Sequence, residues 1–329
     1  MEDTLLEVRD LQVEFSTKMG IVRVLDKVNL KVDPRQTVGI IGESGCGKSM
    51  MALSIMGLVP IPPGRIAGGE ILYRGTDLLT LEKDAILDIR GKRIAMIFQE
   101  PMNSLNPVFT VGNQLVETLL RHEDMTRRDA WDKSIDMLKA VGIPSPEKRM
   151  HDYSFQMSGG MRQRVMIAMS LCLDPDILIA DEPTTALDVT VQAQILDLLR
   201  EMQDRVGASI IMITHDLGVV AEVSDKVAVL YAGRKVEEGS VEQILFNPQH
   251  PYTKALKGCI PHLQRTPTAA APPAKSRHGA RHGRTQQDRC SFYERCPCGK
   301  PECMEHNRPQ RRSTPDMKWP AGSTADVGP

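Results

Sequence analysis

The stretch "TVGIIGESGCGKS", residues 37–49, joins a short apolar run to a loop that is rich in glycine. The first six residues have the length and the apolar character of a buried β-strand. The glycines of the loop allow successive backbone N–H groups to point at one anion. The apolar segment that follows, residues 49–59, is typical of a buried helix that ends at Gly57. This order of strand, glycine-rich loop and helix predicts a phosphate-binding loop.

The loop matches the complete P-loop pattern, and it stands between a strand and a helix as that pattern requires. The pattern predicts that Lys48 reaches the β- and γ-phosphates of ATP and that the Ser49 hydroxyl is a ligand of Mg²⁺. Cys46 occupies a free position of the pattern, so we expect no catalytic role for its thiol. The predicted ATP-binding residues of this segment are Gly42, Ser44, Gly45, Cys46, Gly47, Lys48, Ser49 and Met50.

A second apolar run, "ILIADEP" (residues 177–183), ends in two acidic side chains. Open α/β sheets place their ligand crevice at the carboxyl ends of the strands. We therefore predict that Asp181 holds Mg²⁺ and that Glu182 orients and deprotonates the attacking water. Two adjacent carboxylates also occur at solvated strand ends, but the upstream P-loop favours the functional interpretation.

Two more polar residues follow apolar runs. Gln99 follows "RIAMIF" (residues 93–98) and is predicted to contact both Mg²⁺ and the attacking water. His215 follows "IIMIT" (residues 210–214) and is predicted to bind the γ-phosphate. Taken alone, such a glutamine is more often a surface residue and such a histidine more often a structural one. Together with Glu182 they form the predicted catalytic set.

The composition indicates an ordinary globular protein of 329 residues, with 41% apolar and 25% charged side chains. The formal net charge of −1 argues against a polycation built to hold nucleic acid, so we expect no nucleic-acid partner. No apolar run approaches the length of about 18 residues that a membrane span needs. The N-terminal segment is acidic and lacks an apolar centre, which predicts no secretory signal and a reducing cytosolic environment for the cysteines.

Alternating strands and helices predict an α/β fold with a mostly parallel, two-sided sheet. Residues 5–40 alternate apolar and polar side chains and predict an antiparallel β subdomain, whereas residues 111–173 predict an inserted helical subdomain. Residues 1–263 are thus assigned to one nucleotide-binding domain. Residues 264–289 have almost no large apolar side chains, which predicts a flexible linker rather than a lipid-binding arm, and an irregular cysteine-containing extension occupies residues 290–329.

The ordered set of P-loop, strand-end glutamine, "SGGMRQR" (residues 158–164), "DEPTTALD" (residues 181–188) and strand-end histidine resembles the nucleotide-binding subunit of ABC transporters. The resemblance implies a head-to-tail dimer in which the signature of one subunit closes over the ATP held by the other. The implied signature residues are Ser158, Gly159, Gly160 and Met161. It also implies that the turn ending at Asp188 reaches across the interface. Phe15 stands where the family keeps an aromatic residue against adenine, although an ordinary core phenylalanine is an alternative.

A narrower resemblance lies in "IFQEPMNSLNPVFTVGNQL" (residues 97–115), "EPTTALDVTVQAQIL" (residues 182–196) and "NPQHPYTKALK" (residues 247–257). These segments are similar to the oligopeptide, dipeptide and nickel importers. The resemblance implies a peripheral ATPase at the cytoplasmic face of the inner membrane. Its implied partners are integral membrane permease subunits, a second ATP-binding subunit (a related chain or a copy of this one) and an extracytoplasmic solute-binding protein. Peptides are the expected cargo, with nickel or another small solute as the alternative.

The resemblance also implies that the coupling helices of the membrane subunits dock on residues 99–111. We expect Leu105 and Phe109 to lie on that docking surface, so that an aspartate at either position uncouples transport from ATP hydrolysis.

The segment "CSFYERCPCGKPEC" (residues 290–303) contains four cysteines. In a reducing compartment such crowding favours a metal site over disulfides. The segment resembles the extension of peptide-importer ATPases, in which the spacing of Cys290, Cys296 and Cys303 is that of a [4Fe–4S] site. This chain has no cysteine after Cys303, so Cys298 is the predicted fourth ligand; Zn²⁺ and an empty, vestigial site remain alternatives.

Two other classes of function compete with import. Soluble ABC proteins that act on nucleic acid or ribosomes carry two cassettes or a long coiled-coil insertion, and neither is evident in this sequence. Alternatively, the cysteine-rich segment is the working part and the ATPase only carries it. Co-fractionation with membranes rather than with ribosomes or DNA distinguishes the first alternative from import.

Overall fold

A computed structural model describes residues 4–99, 104–185, 188–258 and 290–299. The predicted linker, Cys303 and the rest of the predicted extension beyond residue 299 lie outside the described residues. The strands are β1 (Leu6–Thr17), β2 (Gly20–Val32), β3 (Thr37–Ile41), β4 (Gly64–Tyr73), β5 (Thr76–Asp77), β6 (Ile94–Ile97), β7 (Ile177–Asp181), β8 (Ser209–Thr214), β9 (Lys226–Tyr231) and β10 (Arg234–Ser240). The helices are α1 (Lys48–Ile55), α2 (Lys83–Ile89), α3 (Val111–His122), α4 (Arg127–Ala140), α5 (Pro146–Arg149), α6 (Gly159–Leu171), α7 (Val189–Val206), α8 (Leu217–Val223), α9 (Val241–Phe246) and α10 (Pro251–Gly258).

The strands form two sheets. The six-stranded sheet has the order β10-β9-β3-β8-β7-β6, in which β6, β7, β8, β3 and β9 are parallel and only β10 is antiparallel to its neighbour. The four-stranded sheet has the order β2-β1-β4-β5 and is antiparallel throughout. The predicted fold class, an α/β core with an antiparallel β subdomain and inserted helices, is therefore confirmed; the cysteine-containing extension remains a prediction.

Strand β4 was not predicted, although it pairs with β1 along most of its length. Its sequence contains Gly64, Gly68 and Gly69, and glycine is depleted in strands because it offers no side chain for packing. Gly69 has a φ of 96° and lies beside the shift in register between Arg9 and Gln12. The glycines thus mark an irregularity in the pairing, which removes the alternation that strand prediction relies on.

The apolar pattern of the sequence predicts helices over residues 161–171 and 191–202, and both are longer in the structure. Helix α6 begins at Gly159 rather than at Met161, because the Ser158 hydroxyl accepts a hydrogen bond from the Met161 N–H and caps the helix. Helix α7 extends beyond the predicted residues 191–202 at both ends and ends before Gly207, whose φ is 74°. Both glycines of the signature therefore lie in the first turn of a helix.

The hydrophobic core has three parts within the described ranges. One fills the space between the two sheets and includes the buried face of α1. The second lies between the other face of the six-stranded sheet and the helices α3, α4, α6 and α7. The third, smaller part surrounds β9 and includes Tyr252 and Phe292. This packing holds the carboxyl ends of the parallel strands rigidly at one edge.

Candidate ATP-hydrolysis site

The strand order brings the predicted motifs to one edge of the six-stranded sheet. The P-loop follows β3, His215 follows β8, Asp181 and Glu182 end β7, and Gln99 follows β6. Because β3, β8, β7 and β6 are parallel neighbours, their carboxyl ends lie side by side. Residues that are far apart in the sequence thus meet in one crevice.

Two glycines of the P-loop are required by their surroundings. A Cβ atom on Gly42 would lie 2.2 Å from the Leu230 carbonyl oxygen, so a side chain there collides with the backbone of β9. Gly47 has a φ of 107°, and a Cβ atom on it would lie 2.6 Å from a methyl group of Leu25. The sequence therefore keeps glycine where the loop runs against the two neighbouring sheets.

Lys48 lies inside the loop and is buried. Its ammonium group donates hydrogen bonds to the Gly42 carbonyl at 2.7 Å and to the Glu43 carbonyl at 3.2 Å. The positive charge is thus held by two carbonyls of the loop, where a phosphate chain would bind.

The other P-loop residues occupy distinct environments. Ser44 and Gly45 are exposed, whereas Ser49 and Met50 are partly buried in the first turn of α1. The Cys46 thiol is packed into the core, and burial raises its pKa, which keeps it protonated. A buried thiol with a raised pKa is a poor nucleophile, and the absence of a catalytic role for Cys46 remains a prediction.

Asp181 is buried at the end of β7, with an exposed fraction of 3%. Its Oδ1 atom has no hydrogen-bond partner among the described residues, and burial raises the pKa of Asp181 in spite of a hydrogen bond from Ser49. An unpaired carboxylate oxygen in a buried position is unfavourable unless a cation binds there. Asp181 and Ser49 therefore have the chemistry of a Mg²⁺ site.

Glu182 is the centre of a hydrogen-bonded cluster. The Thr185 hydroxyl lies 2.8 Å and the Gln99 amide 3.1 Å from its Oε2 atom, while His215 Nδ1 lies 3.3 Å from Oε1. Burial alone would raise the pKa of Glu182, but the hydrogen bonds of Thr185, His215 and Gln99 lower it below its ordinary value. Two of the predicted catalytic residues, Gln99 and His215, thus both contact the ionised carboxylate of the third, Glu182. The Thr185 contact was not predicted, because its threonine type alone does not indicate a partner.

The first two signature residues face solvent. Ser158 and Gly159 are exposed at the N-terminus of α6, and a Cβ atom on Gly159 would meet no described residue within 4 Å. Gly160 approaches Val191 of α7, and Met161 packs against the helical part of the core. The exposed start of a helix that carries two glycines is suited to binding an anion from outside the subunit.

Asp188 is also exposed, and its carboxylate accepts a hydrogen bond from the Val191 N–H at 2.9 Å. It therefore caps α7, a role that the sequence did not distinguish from the implied contact across an interface. Residues 186 and 187 of the same turn lie outside the described residues.

Phe15 lies in β1 opposite Gly64 of β4 and packs partly against the core between the sheets. A Cβ atom on Gly64 would lie 2.9 Å from its ring. Its predicted contact with adenine remains a prediction, and its core contacts fit the alternative as well.

The expectation that Leu105 is a surface contact is wrong. Leu105 has an exposed fraction of 1% and packs into the helical part of the core. Phe109 and its neighbour Val108 have exposed fractions of 47% and 71%. The next residue, Thr110, forms an isolated β-bridge with Tyr153, whose ring stacks on that of Phe155. The exposed apolar surface in this region therefore consists of Val108, Phe109, Tyr153 and Phe155; residues 100–103 lie outside the described residues.

The described part of the cysteine segment does not show a metal site. Cys290 and Cys296 are half-buried against the core around β9, and Cys298 is exposed. Among the described residues no three His, Cys, Asp or Glu side chains form a group that could hold a metal ion. Cys303 lies outside those residues, so the predicted cluster remains a prediction. None of the helices in the described ranges has the length and apolar character that crossing a membrane requires.

Comparison with known proteins agrees with this geometry. Residues 25–185 match the family model "ABC transporter", and residues 236–303 match "Oligopeptide/dipeptide transporter, C-terminal region". The oligopeptide transport ATP-binding protein OppD of Bacillus subtilis is 52% identical, and the match covers 79% of this chain and 73% of OppD. The dipeptide transport ATP-binding protein DppD of the same organism is 48% identical, and the match covers 90% of this chain and 87% of DppD. The dimeric structure of the bacterial ABC transporter cassette MJ0796 is 26% identical, with a TM-score of 0.64 over 72% of this chain and 98% of that one. The chain therefore belongs to the ATP-binding proteins of ABC transporters, a family of ATPases, and within it to the oligopeptide and dipeptide group.

Proposed function

We propose that this chain is the ATP-hydrolysing subunit of an ABC importer for oligopeptides or dipeptides. The observation that carries the proposal is the meeting of Lys48, Asp181 and Glu182 at one edge of the sheet, in a chain whose relatives are named as peptide transport ATP-binding proteins. Nickel or another small solute is the second candidate cargo, because the residues of this site act on ATP and do not select the cargo.

In the proposed reaction the P-loop binds the phosphates of ATP, with Lys48 placed against the β- and γ-phosphates. Ser49, Asp181 and Gln99 would hold Mg²⁺, which neutralises charge on the phosphates when bound. Glu182 accepts a proton from water as the water oxygen attacks the γ-phosphorus and the bond to the ADP oxygen breaks. His215 and Gln99 orient Glu182 and the water, so the products are ADP and inorganic phosphate.

The exposed signature supports a head-to-tail dimer. We propose that Ser158, Gly159, Gly160 and Met161 contact ATP bound to a second ATP-binding subunit, and that Asp188 lies at the same interface. The solved cassette MJ0796 is a dimer, which supports this arrangement. The partner is a related chain or a second copy, and either places two ATP molecules between two subunits.

The apolar surface of Val108, Phe109, Tyr153 and Phe155 supports docking of membrane permease subunits. Exposed apolar groups that lie together on a surface mark sites of interaction. We propose that this surface receives them at the cytoplasmic face of the inner membrane, and that an extracytoplasmic solute-binding protein delivers the peptide.

The test is isolation of the tagged chain from its native membrane after mild detergent extraction. We expect permease subunits and a second ATP-binding subunit to co-purify, and uptake of a labelled dipeptide or tripeptide to stop when the chain is deleted. Co-purification with ribosomes, or uptake of nickel lost while peptide uptake continues, would contradict the proposal.

A further inference from the structure

The segment of residues 290–299 packs beside the P-loop, although it follows the P-loop by most of the length of the chain. Its anchor is Phe292, which is buried to an exposed fraction of 4%. The ring of Phe292 lies 5.2 Å from the ring of Tyr231, 5.5 Å from that of Tyr252 and 5.9 Å from that of His250, measured between centroids. This aromatic cluster fixes the segment against the end of β9, next to the loop.

Arg295 extends from this anchor to the P-loop. Its guanidinium group forms a two-pronged ion pair with the Glu43 carboxylate, with Nη1 at 3.0 Å from Oε2 and Nη2 at 2.9 Å from Oε1. The same group lies over the rings of Tyr231 and Phe292 at 5.8 and 5.7 Å. A bidentate pair whose arginine also stacks on aromatic rings has a defined position, unlike most surface ion pairs.

Glu43 is also held through its backbone. Its N–H donates a hydrogen bond to the Tyr252 hydroxyl at 2.9 Å, and its carbonyl accepts one from Lys48 at 3.2 Å. Three parts of this one residue are therefore fixed, by the C-terminal segment, by α10 and by the lysine of the P-loop. Movement of Glu43 would disturb the loop that Lys48 spans.

The charge of Glu43 is unfavourable in this position. It directly follows Gly42 in a loop whose N–H groups and lysine attract the phosphates of ATP, and a carboxylate there repels them. Arg295 both neutralises this charge and holds the carboxylate on the side of the loop that faces residues 290–299. Half-exposed charges still influence a nearby anion, although water and salt weaken the effect.

We infer that Arg295 is a positioning residue for ATP binding, which acts by neutralising Glu43 and by holding it away from the phosphates. The inference rests on the proposed function only in that the P-loop binds ATP. It assigns to the C-terminal segment an effect on nucleotide affinity that requires no metal and no contact with ATP.

The experiment measures the Kd of the full-length chain for a fluorescent ATP analogue in the presence of Mg²⁺. Arg295→Ala should raise the Kd by about threefold to tenfold, as expected for one unneutralised and partly exposed charge near the phosphates. Glu43→Gln should lower the Kd or leave it unchanged, because the amide still accepts from Arg295 but carries no charge. The double variant should bind ATP more tightly than Arg295→Ala, and added salt should shrink the difference between Arg295→Ala and the unmodified chain.

A Kd that rises in Arg295→Ala but does not rise in Glu43→Gln distinguishes an effect of charge from an effect of lost structure. If Arg295 only anchors the segment, Glu43→Gln loses the bidentate ion pair that Arg295→Ala also removes. Both variants should then weaken ATP binding, which would overturn the inference. Arg295→Lys should recover part of the affinity, and the matched control Arg9→Ala removes an ion pair with Glu7 on β1 and should not change the Kd. If the unmodified chain binds ATP and all variants match it, only this inference fails; if the unmodified chain does not bind ATP, the proposed function fails with it.

Discussion

Replacing Glu182 by glutamine tests the assignment of the catalytic base most directly. The amide has nearly the same shape as the carboxylate, so Thr185 and Gln99 can still donate to its oxygen at the positions they hold at 2.8 and 3.1 Å. It cannot accept a proton from water at neutral pH. The substitution therefore removes the proton acceptor and leaves the surrounding contacts largely in place.

The structure indicates that the substitution should lower kcat and leave the affinity for ATP nearly unchanged. Because the hydrogen bonds to Glu182 lower its pKa below the ordinary value, the carboxylate is ionised throughout the neutral range and is available as a base. A positioned general base contributes about 10²- to 10⁴-fold to a rate, or roughly 3 to 5 kcal/mol of activation free energy. We expect kcat for ATP hydrolysis to fall by that factor, and the Kd for ATP to change by less than about threefold, since no contact of the P-loop is altered.

The assay combines steady-state release of phosphate with equilibrium binding of ATP, both on the assembled transporter. Glu201→Gln, which changes the same residue type on the exposed surface of α7, is the matched control and should retain the unmodified rate. A rate for Glu182→Gln within about tenfold of the unmodified one would refute the role of Glu182 as the base, because that loss is smaller than general-base catalysis explains.

Three other predictions concern the remaining motifs. Ser158→Arg should leave ATP binding by the isolated subunit unchanged and abolish turnover of the assembled complex, as measured by binding and phosphate release; equal loss in the isolated subunit would show that Ser158 serves its own ATP. Phe109→Asp should reduce peptide uptake while ATP hydrolysis continues. Leu105→Ala should lower the free energy of unfolding by about 2 to 5 kcal/mol in a denaturant titration, because it leaves a cavity in the core. Anaerobic purification should yield a stoichiometric metal bound through Cys290, Cys296, Cys298 and Cys303. A [4Fe–4S] cluster would give visible absorption, and Zn²⁺ would give none. A colourless, metal-free protein would contradict this prediction, and Cys290→Ser would then not alter stability.

The sequence predicted which residues meet at the carboxyl edge of the sheet, because each part of that edge is locally encoded. A short apolar run followed by a functional residue identifies both a buried strand and its carboxyl end, as in β7 with Asp181 and Glu182. Parallel pairing then places these ends together without further information. Thr185 escaped prediction, since a threonine in a turn has many possible partners and only the fold selects Glu182.

The failure at Leu105 has a similar cause. An apolar residue in a polar loop is compatible with a docking surface or with a core, and the sequence around it does not distinguish the two. In the structure the Gln114 side chain accepts from the Asn106 N–H at 2.9 Å and donates to the carbonyls of Asn106 and Phe109 at 3.1 Å. These bonds fix the loop over α3, with Leu105 turned inward and Phe109 turned outward.

The sheet order separates the two predicted anion-binding segments of this chain. The P-loop joins β3 to α1, whereas the signature begins α6, which packs on β6. Strands β8 and β7 lie between β3 and β6, so these two strands are separated by three inter-strand spacings, or about 14 Å. The P-loop is also surrounded by its own strands, Tyr252 and Arg295, while Ser158 and Gly159 are exposed. We therefore propose that the exposed helix start binds a second anion, the ATP held by a second ATP-binding subunit.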